Sequence, residues 1–329
     1  MGINSGENKI KAKKPISFEI DKQYMNQLVD KTLKAYKDRK LPFSKQHIEY
    51  VVQNPNRISK ILDAAYEMYL SSSEYLKYVD REVKRMFEES SICINTTSEI
   101  LLDILDSKKI MNSHEIRDIG IKDRGNAVQG NRWGMERTLF DFNDDHPSEK
   151  LPVYGYLFPK EKIYIAGCGP VGREVEDFYG DIRIVLKDSI RNRTTASFGD
   201  YEYTNYGGYD DENYDDTTAS VVAVPLESPC HLAYDFTTGE ITADYDLKMK
   251  GLTVDNKKIK GNINTQLEKM DSSTLHTGIQ YIECHIHNGG PRVEEIEKVM
   301  LPKDYLEEKK EKELIDELKK NNISYEFYS

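Results

Sequence analysis

Cysteine, tryptophan, long apolar runs and net positive charge are all scarce in this chain. The 329 residues include four cysteines, Cys93, Cys168, Cys230 and Cys284, and no C-x-x-C pair. That argues against a disulfide framework or a cysteine zinc site, and for a reducing compartment. No apolar run approaches the ~18 residues of a membrane span. The opening Met1-Gly-Ile-Asn-Ser-Gly-Glu-Asn has no signal-peptide core, and Gly2 with Ser5-Gly6 does not match the myristoylation pattern. The expectation is a soluble, cytoplasmic protein with no membrane partner, export without a classical signal staying open. The formal net charge of -11 argues against non-specific nucleic-acid binding, because phosphates attract basic surfaces. A small anionic ligand held by a few local donors remains compatible with it. There is no G-x-S-x-G, so Ser/His/Asp hydrolase chemistry has no motif here.

What the chain has is length enough for a real core and an N-terminal third of helical pattern. Residues 1–16 are basic and polar, a loose arm. From about 20 to 90, Tyr24, Leu28, Leu33 and Tyr36 recur at helix spacing, and Lys40-Leu-Pro42 is a stop. Ser44 caps a following helix and Asn56 a long one from Arg57, which continues after Ser71-Ser-Ser73 through Tyr75, Tyr78 and Val79. We expect 1–90 to be a helical region able to dock a partner protein, and 91–329 an α+β domain. Expected elements of the latter are strands at 91–97, 152–157, 162–166, 182–186, 220–224 and 323–327, a Ser98-capped helix, and a helix over 305–320. Residues 112–150 read as irregular apart from a piece around 132–140, and a loop that long is usually functional. Strands that arrive without long intervening helices indicate α+β architecture. The acidic tyrosine tract 200–217 reads as a solvated loop, a lid or a docking loop, Trp133 as core, and Arg191 and Arg193 as a solvated loop or a diphosphate grip.

Gly167-Cys-Gly-Pro-Val-Gly172 is a literal G-x-G-x-x-G after a strand, the dinucleotide fingerprint on paper. The helix after it has only about seven residues before Gly180, short for a crossover. Glu174, Glu176 and Asp177 stand where a phosphate wants donors. A glycine-rich hairpin loop is the better reading.

Thr277-Gly-Ile-Gln-Tyr-Ile-Glu-Cys-His-Ile-His-Asn-Gly-Gly290 reads as a strand entering a glycine turn. With a period of 2, Gln280, Ile282, Cys284 and Ile286 share a core face, and Tyr281, Glu283, His285 and His287 share the other. That polar face suits a half-exposed strand, the wall of a catalytic cleft, or a metal site. His285 and His287 at i and i+2 beside Glu283 have ligand-like spacing, with His231 or His276 as a distant third ligand.

Several pieces in order carry a resemblance. They are Asn112-Ser-His-Glu115, Arg132-x-x-x-Glu136-Arg-x-Leu-Phe140, Pro152-x-Tyr-Gly-Tyr-Leu157, Tyr179-Gly-Asp-Ile-x-x-x-Leu-Lys187, Arg193-Thr-Thr-x-x-x-Gly-Asp200 and Tyr281-x-Glu-x-x-Ile-His287-x-Gly. Over about 93–300 the chain resembles bacterial and phage domains, found alone or fused to phage head-morphogenesis proteins, that are associated with the ADP-ribosyltransferase superfamily. The resemblance implies a mixed or antiparallel split-sheet α+β fold with NAD in the cleft. The implied activity is NAD-dependent ADP-ribosyl transfer, or NAD glycohydrolysis, by a toxin, effector or phage protein on an unidentified protein or nucleic acid. It places the catalytic carboxylate at Glu283. Cofactor contacts fall at Thr194, Thr195, Gly199, Asp200, Tyr281, His285 and Arg132. The chain departs from the pattern at Tyr201, where the family has Ser, and in the strand 92–97, which lacks an Arg or His. Arg124, Arg132 or His114 would have to supply that contact. Two alternatives stay open: a catalytically inactive interaction protein with a degenerate copy of the fold, and a metal-dependent enzyme using Glu283, His285 and His287.

Overall fold

The computed structural model describes residues 19–67, 70–119, 131–143, 145–160, 180–198, 222–226, 282–303 and 308–328. The element order is helical first and mixed afterwards, an α+β chain. Helices α1 (Lys22–Arg39), α2 (Lys45–Gln53), α3 (Pro55–Glu67) and α4 (Ser72–Glu88) come first. Strand β1 (Ser90–Thr96), α5 (Ser98–Ser107), α6 (Ser113–Asp118), α7 (Asn131–Phe140) and β2 (Val153–Pro159) follow. Then come β3 (Ile182–Leu186), a 3-10 turn (Asp188–Arg193), β4 (Thr194–Phe198), β5 (Val224–Pro225), β6 (Ile282–Ile286), β7 (Ile296–Pro302), α8 (Glu308–Lys320) and β8 (Ser324–Tyr328). Among the described residues no helix is long and apolar enough to cross a membrane.

Local chemistry sets these boundaries. Asp21 accepts the Tyr24 amide at 3.0 Å, and α1 ends at Lys40 in the left-handed conformation. Ser44 caps α2 as expected, through the His47 amide. The cap of α3 is Asn54, not Asn56: its Oδ1 accepts the Arg57 amide, because Pro55 takes the first helical position, where no N–H is needed. Ser71 and Glu74 form a reciprocal capping box at the start of α4. Thr97, not Ser98, caps α5. The segment 112–150 is less irregular than expected, since it holds α6 and a short 3-10 turn as well as α7.

The eight strands form one mixed sheet in the order β5-β4-β6-β2-β1-β3-β7-β8, antiparallel except for β7 with β8. They are not split between two sheets, because β6 pairs with β2 on one side and β4 on the other. Alternation along each strand gives the sheet two different faces. One carries Ile92, Leu157, Ile184, Ala196, Cys284, Ile286 and Val299. These belong to the same hydrophobic core as Leu28, Tyr36, Ile48, Ile61, Leu76 and Phe87 of the N-terminal helices, Leu101 and Leu105 of α5, and Leu314 and Leu318 of α8. The compositional boundary near residue 90 therefore has one continuous core on both sides. The opposite face carries Ser197, Glu283, Tyr156, Cys93 and Val185 in a row across five strands.

Arg191 ties the helices to the sheet. It is buried, not solvated, and donates to the carbonyls of Ser90 at 3.0 Å and Phe87 at 2.5 Å. These carbonyls lie at the end of α4 and the start of β1, where backbone acceptors lack helical partners. Arg191→Met keeps the apolar stem and removes the donors, so both of these bonds are lost. The expected loss is about 2–4 kcal/mol, read as a lower urea midpoint with an unchanged slope; a midpoint equal to wild type would refute the tie.

Candidate functional site

Both faces of β6 are buried, so its polar side is no half-exposed strand. Glu283 stands directly opposite Ser197 of β4 and Tyr156 of β2, and His285 opposite Thr195 and Tyr154. Glu283 is 4% exposed, and Thr195, Ser197, His285 and His287 are fully buried. Four of these side chains form one hydrogen-bonded chain. Glu283 Oε2 is 3.3 Å from His285 Nε2, His285 Nδ1 is 3.3 Å from Thr195 Oγ1, and that hydroxyl is 2.9 Å from His287 Nε2. Two buried polar atoms beside the chain, Ser197 Oγ and His287 Nδ1, have no hydrogen-bond partner among the described residues. Buried polar groups are seldom left so.

A second buried chain backs the first. His114 Nε2 lies 3.0 Å from Glu136 Oε2, and the Tyr154 hydroxyl donates to Glu136 Oε1 at 2.9 Å. The sequence Asn112-Ser-His-Glu115 explains how His114 is aimed. Asn112 and Glu115 cap each other's amides at the start of α6, and the Asn112 amide also donates to the carbonyls of Ser148 and Leu151. The ring of Tyr154 meets His285 edge-on at 5.3 Å, and Phe140 from α7 meets His285 and His287 at 5.2 and 4.7 Å. Farther along the same face, the Tyr156 hydroxyl is bonded to Asn95 Oδ1 and to Arg183 Nε, each at 2.6 Å, and the Arg183 guanidinium lies 4.2 Å from the Phe158 ring centre.

The glycines and Arg193 fix the exit from β6. Arg193 donates to the carbonyls of His287 at 2.8 Å and Gly289 at 2.5 Å, and pairs with Glu295 at 2.8 Å. It is a structural clamp, neither a solvated side chain nor open to a diphosphate. Asn288 and Gly289 turn the chain with φ of 60° and 91°. Gly155 in β2 is required because a Cβ would come 2.6 Å from the Cys93 carbonyl oxygen.

The sequence-derived site is brought together in part. Glu283, Thr195 and His285 meet as one cluster. Thr194 does not join them: adjacent strand residues face opposite ways, and its hydroxyl donates to the Ile190 carbonyl at 2.9 Å on the core face. Arg132 belongs to the backbone of α7. Gly199, Asp200 and Tyr281 lie outside the described residues, as do Arg124, His231, His276, the glycine motif at 167–172 and the tract at 200–217. His114 is engaged with Glu136. Sequence reasoning passed over Ser197, although it lies two residues past Thr195 and so on the same face. It also missed Glu136 as the anchor of Tyr154, and Arg183 as the cation beside β1. Among the described residues no group of three or more His, Cys, Asp or Glu side chains is arranged to hold a metal ion. Three of the four imidazole nitrogens of His285 and His287 are in hydrogen bonds.

No family model matches the chain, and no curated protein matches it.

Burial, with the neighbouring His285 and then Arg193, holds His287 well below the usual 6.5, so it is neutral. Burial likewise pushes the Cys284 thiol up, keeping it protonated and unreactive. The His287 shift has a sign that can be checked. Its folded pKa is below the unfolded one, so the unfolded chain takes up the proton first as pH falls. Stability is therefore at its full value above about pH 6.5 and declines below it, by roughly 1 kcal/mol per pH unit. His287→Gln, which preserves a donor near the Nε2 position, is expected to flatten the decline measured by urea unfolding between pH 7.5 and 5. Parallel curves for the two proteins would contradict it.

Proposed function

We propose that the polar face around Glu283 binds NAD and that the protein transfers ADP-ribose to a macromolecule, or to water. The observation that carries this reading is the pairing of Glu283 with a buried Ser197 hydroxyl, without a hydrogen-bond partner among the described residues, across two neighbouring strands on the face away from the N-terminal helices. Scission of the bond between ribose and nicotinamide sends the bonding pair to the ring nitrogen and leaves positive charge on the ribose. The acceptor then bonds to that carbon and loses its proton. A carboxylate bonded to a ribose hydroxyl stabilises the transition state more than the ground state. Glu283 has that role, with Ser197 and Thr195 beside it. Arg183 takes the cation's role that β1 itself lacks, its guanidinium held by Tyr156 and Phe158 on the same face. Recognition of diphosphate suits a guanidinium.

A second reading has its own support. Glu283 is 4% exposed and α7 packs Phe140 over the histidines, as in an inactive copy whose polar patch only joins the sheet to its cover. Exposed Tyr50 and Tyr66, on α2 and α3, then mark the helical region as the docking side. Incubation of the pure protein with NAD decides. The first reading requires nicotinamide release and a thermal shift with NAD. If neither occurs, and labelled NAD marks nothing in a lysate in a Glu283-dependent way, the second stands.

A further inference from the structure

We propose that Thr195 and His287 lock the tautomer of His285, and that His285 is thereby the positioning residue for the Glu283 carboxylate. The catalytic consequence rests on the ADP-ribosyl reading; the lock itself does not.

The direction of each hydrogen bond follows from proton counting. A threonine hydroxyl has one proton, and a neutral imidazole has one N–H. His287 is neutral, and its Nδ1 has no partner among the described residues. An N–H placed on Nδ1 would be a buried donor with no acceptor among the described residues, an arrangement folded proteins avoid. The proton therefore lies on Nε2 and is donated to Thr195 Oγ1, 2.9 Å away. The Thr195 hydroxyl has no other acceptor among the described residues, so it turns its own proton to the remaining neighbour, His285 Nδ1 at 3.3 Å. With Nδ1 accepting, His285 carries its proton on Nε2 and donates it to Glu283 Oε2. All three bonds are satisfied with both histidines neutral. The reverse direction leaves an orphan N–H on His287 and turns either a bare lone pair or an imidazolium toward Glu283.

The surroundings fit a fixed ring. Tyr154, anchored by Glu136 and His114, and Phe140 contact His285 edge-on, so it has little freedom to flip. Among the described residues the charged or titratable groups around the chain include Glu283 and Cys284 on β6, Glu136 on α7, His114 on α6, Tyr154 and Tyr156 on β2, and Arg193 before β4. Arg193 is spent on the β6 exit and Glu295. A single N–H donated to one carboxylate oxygen fixes the rotation of Glu283 and leaves Oε1 for substrate.

The test reads the tautomers directly, by nitrogen-resolved NMR of the full chain with labelled histidine at pH 6–8. Both His285 and His287 are expected as the Nε2–H form. Thr195→Val, of the same shape without the hydroxyl, is expected to give His285 mixed tautomers. In NAD cleavage it lowers kcat by about 10- to 100-fold with KM nearly unchanged, and Thr195→Ser restores both. An Nδ1–H form of His285, an imidazolium at pH 8, or a Thr195→Val spectrum identical to wild type overturns the lock. If the valine variant does not fold, the wild-type spectrum alone decides. The spectra need no NAD, so the two ideas fail separately. A locked His285 in a chain that leaves NAD intact overturns the NAD reading, and NAD cleavage with an Nδ1–H His285 overturns the lock.

Discussion

Glu283→Gln is expected to lower NAD cleavage by about 10²–10³-fold, the range found when one group that stabilises developing charge is removed. The substitution is nearly isosteric. The amide oxygen can still accept from His285 Nε2, 3.3 Å away in the native chain, so the ring and the strand pairing stay in place. What is lost is the negative charge opposite the forming ribose cation, in a site from which water is largely excluded. The loss should therefore appear in kcat, with KM for NAD within a few-fold of wild type. Glu283→Ala gives a less clean result, because it also leaves His285 Nε2–H a buried donor without an acceptor. A Gln variant that cleaves NAD at the wild-type rate would remove Glu283 from the chemistry, and with it the placement of the reaction on this face of the sheet.

Gly290→Ala is expected to be severely damaging for a single added methyl, costing about 3 kcal/mol or more and approaching loss of the folded state at 37 °C. A Cβ on Gly290 would overlap the Ile110 carbonyl oxygen and press on Val153 Cγ2 at 3.2 Å. Neither neighbour is a flexible side-chain end. Ile110 also donates its amide to the Pro291 carbonyl at 2.8 Å, and Lys109 bridges to Arg292. Relief would have to break the pairing that closes the fold behind β6. The preceding glycine is a useful contrast. Gly289 has φ of 91°, but its Cβ would meet only the Glu149 carbonyl, at 3.6 Å. Gly289→Ala should therefore cost only the left-handed backbone penalty, about 1–2 kcal/mol. Urea midpoints of the two variants measure the difference, and equal losses would show that the close approach at Gly290 does not matter.

Much of the fold was legible in the residues. The caps at Ser44, the stop at Lys40, the apolar alternation of Ile92, Ile184 and Ile286, and the helical period of Leu101, Ile104 and Leu105 are local signals that the packed structure repeats. Errors arose where neighbouring residues compete for one local role. Asn54 beat Asn56, and Thr97 beat Ser98, because the helix start depends on where the chain enters, and Pro55 fixes one of those entries. The reading of Arg191 and Arg193 as a solvated loop failed for another reason. Their partners, the carbonyls of Phe87 and His287, are about 100 residues away in the chain, and no local pattern reports a long-range acceptor.

The candidate site divides along the same line. Strand alternation by itself put Glu283, His285 and His287 on one face and Cys284 and Ile286 on the other. It also determines that Thr194 and Thr195 cannot both face Glu283. Only the tertiary structure decided which of the two does, because that depends on register: β4 pairs Thr195 with His285 and Ser197 with Glu283, and a one-residue slip would exchange every side chain. Tertiary packing also decided that the polar face is buried, that Tyr154 and Phe140 cover the histidines, and that their nitrogens reach Thr195 and Glu283. Periodicity belongs to a single segment and can be read from it. Register and burial are properties of pairs of segments far apart in the chain, and they exist only once the sheet has formed.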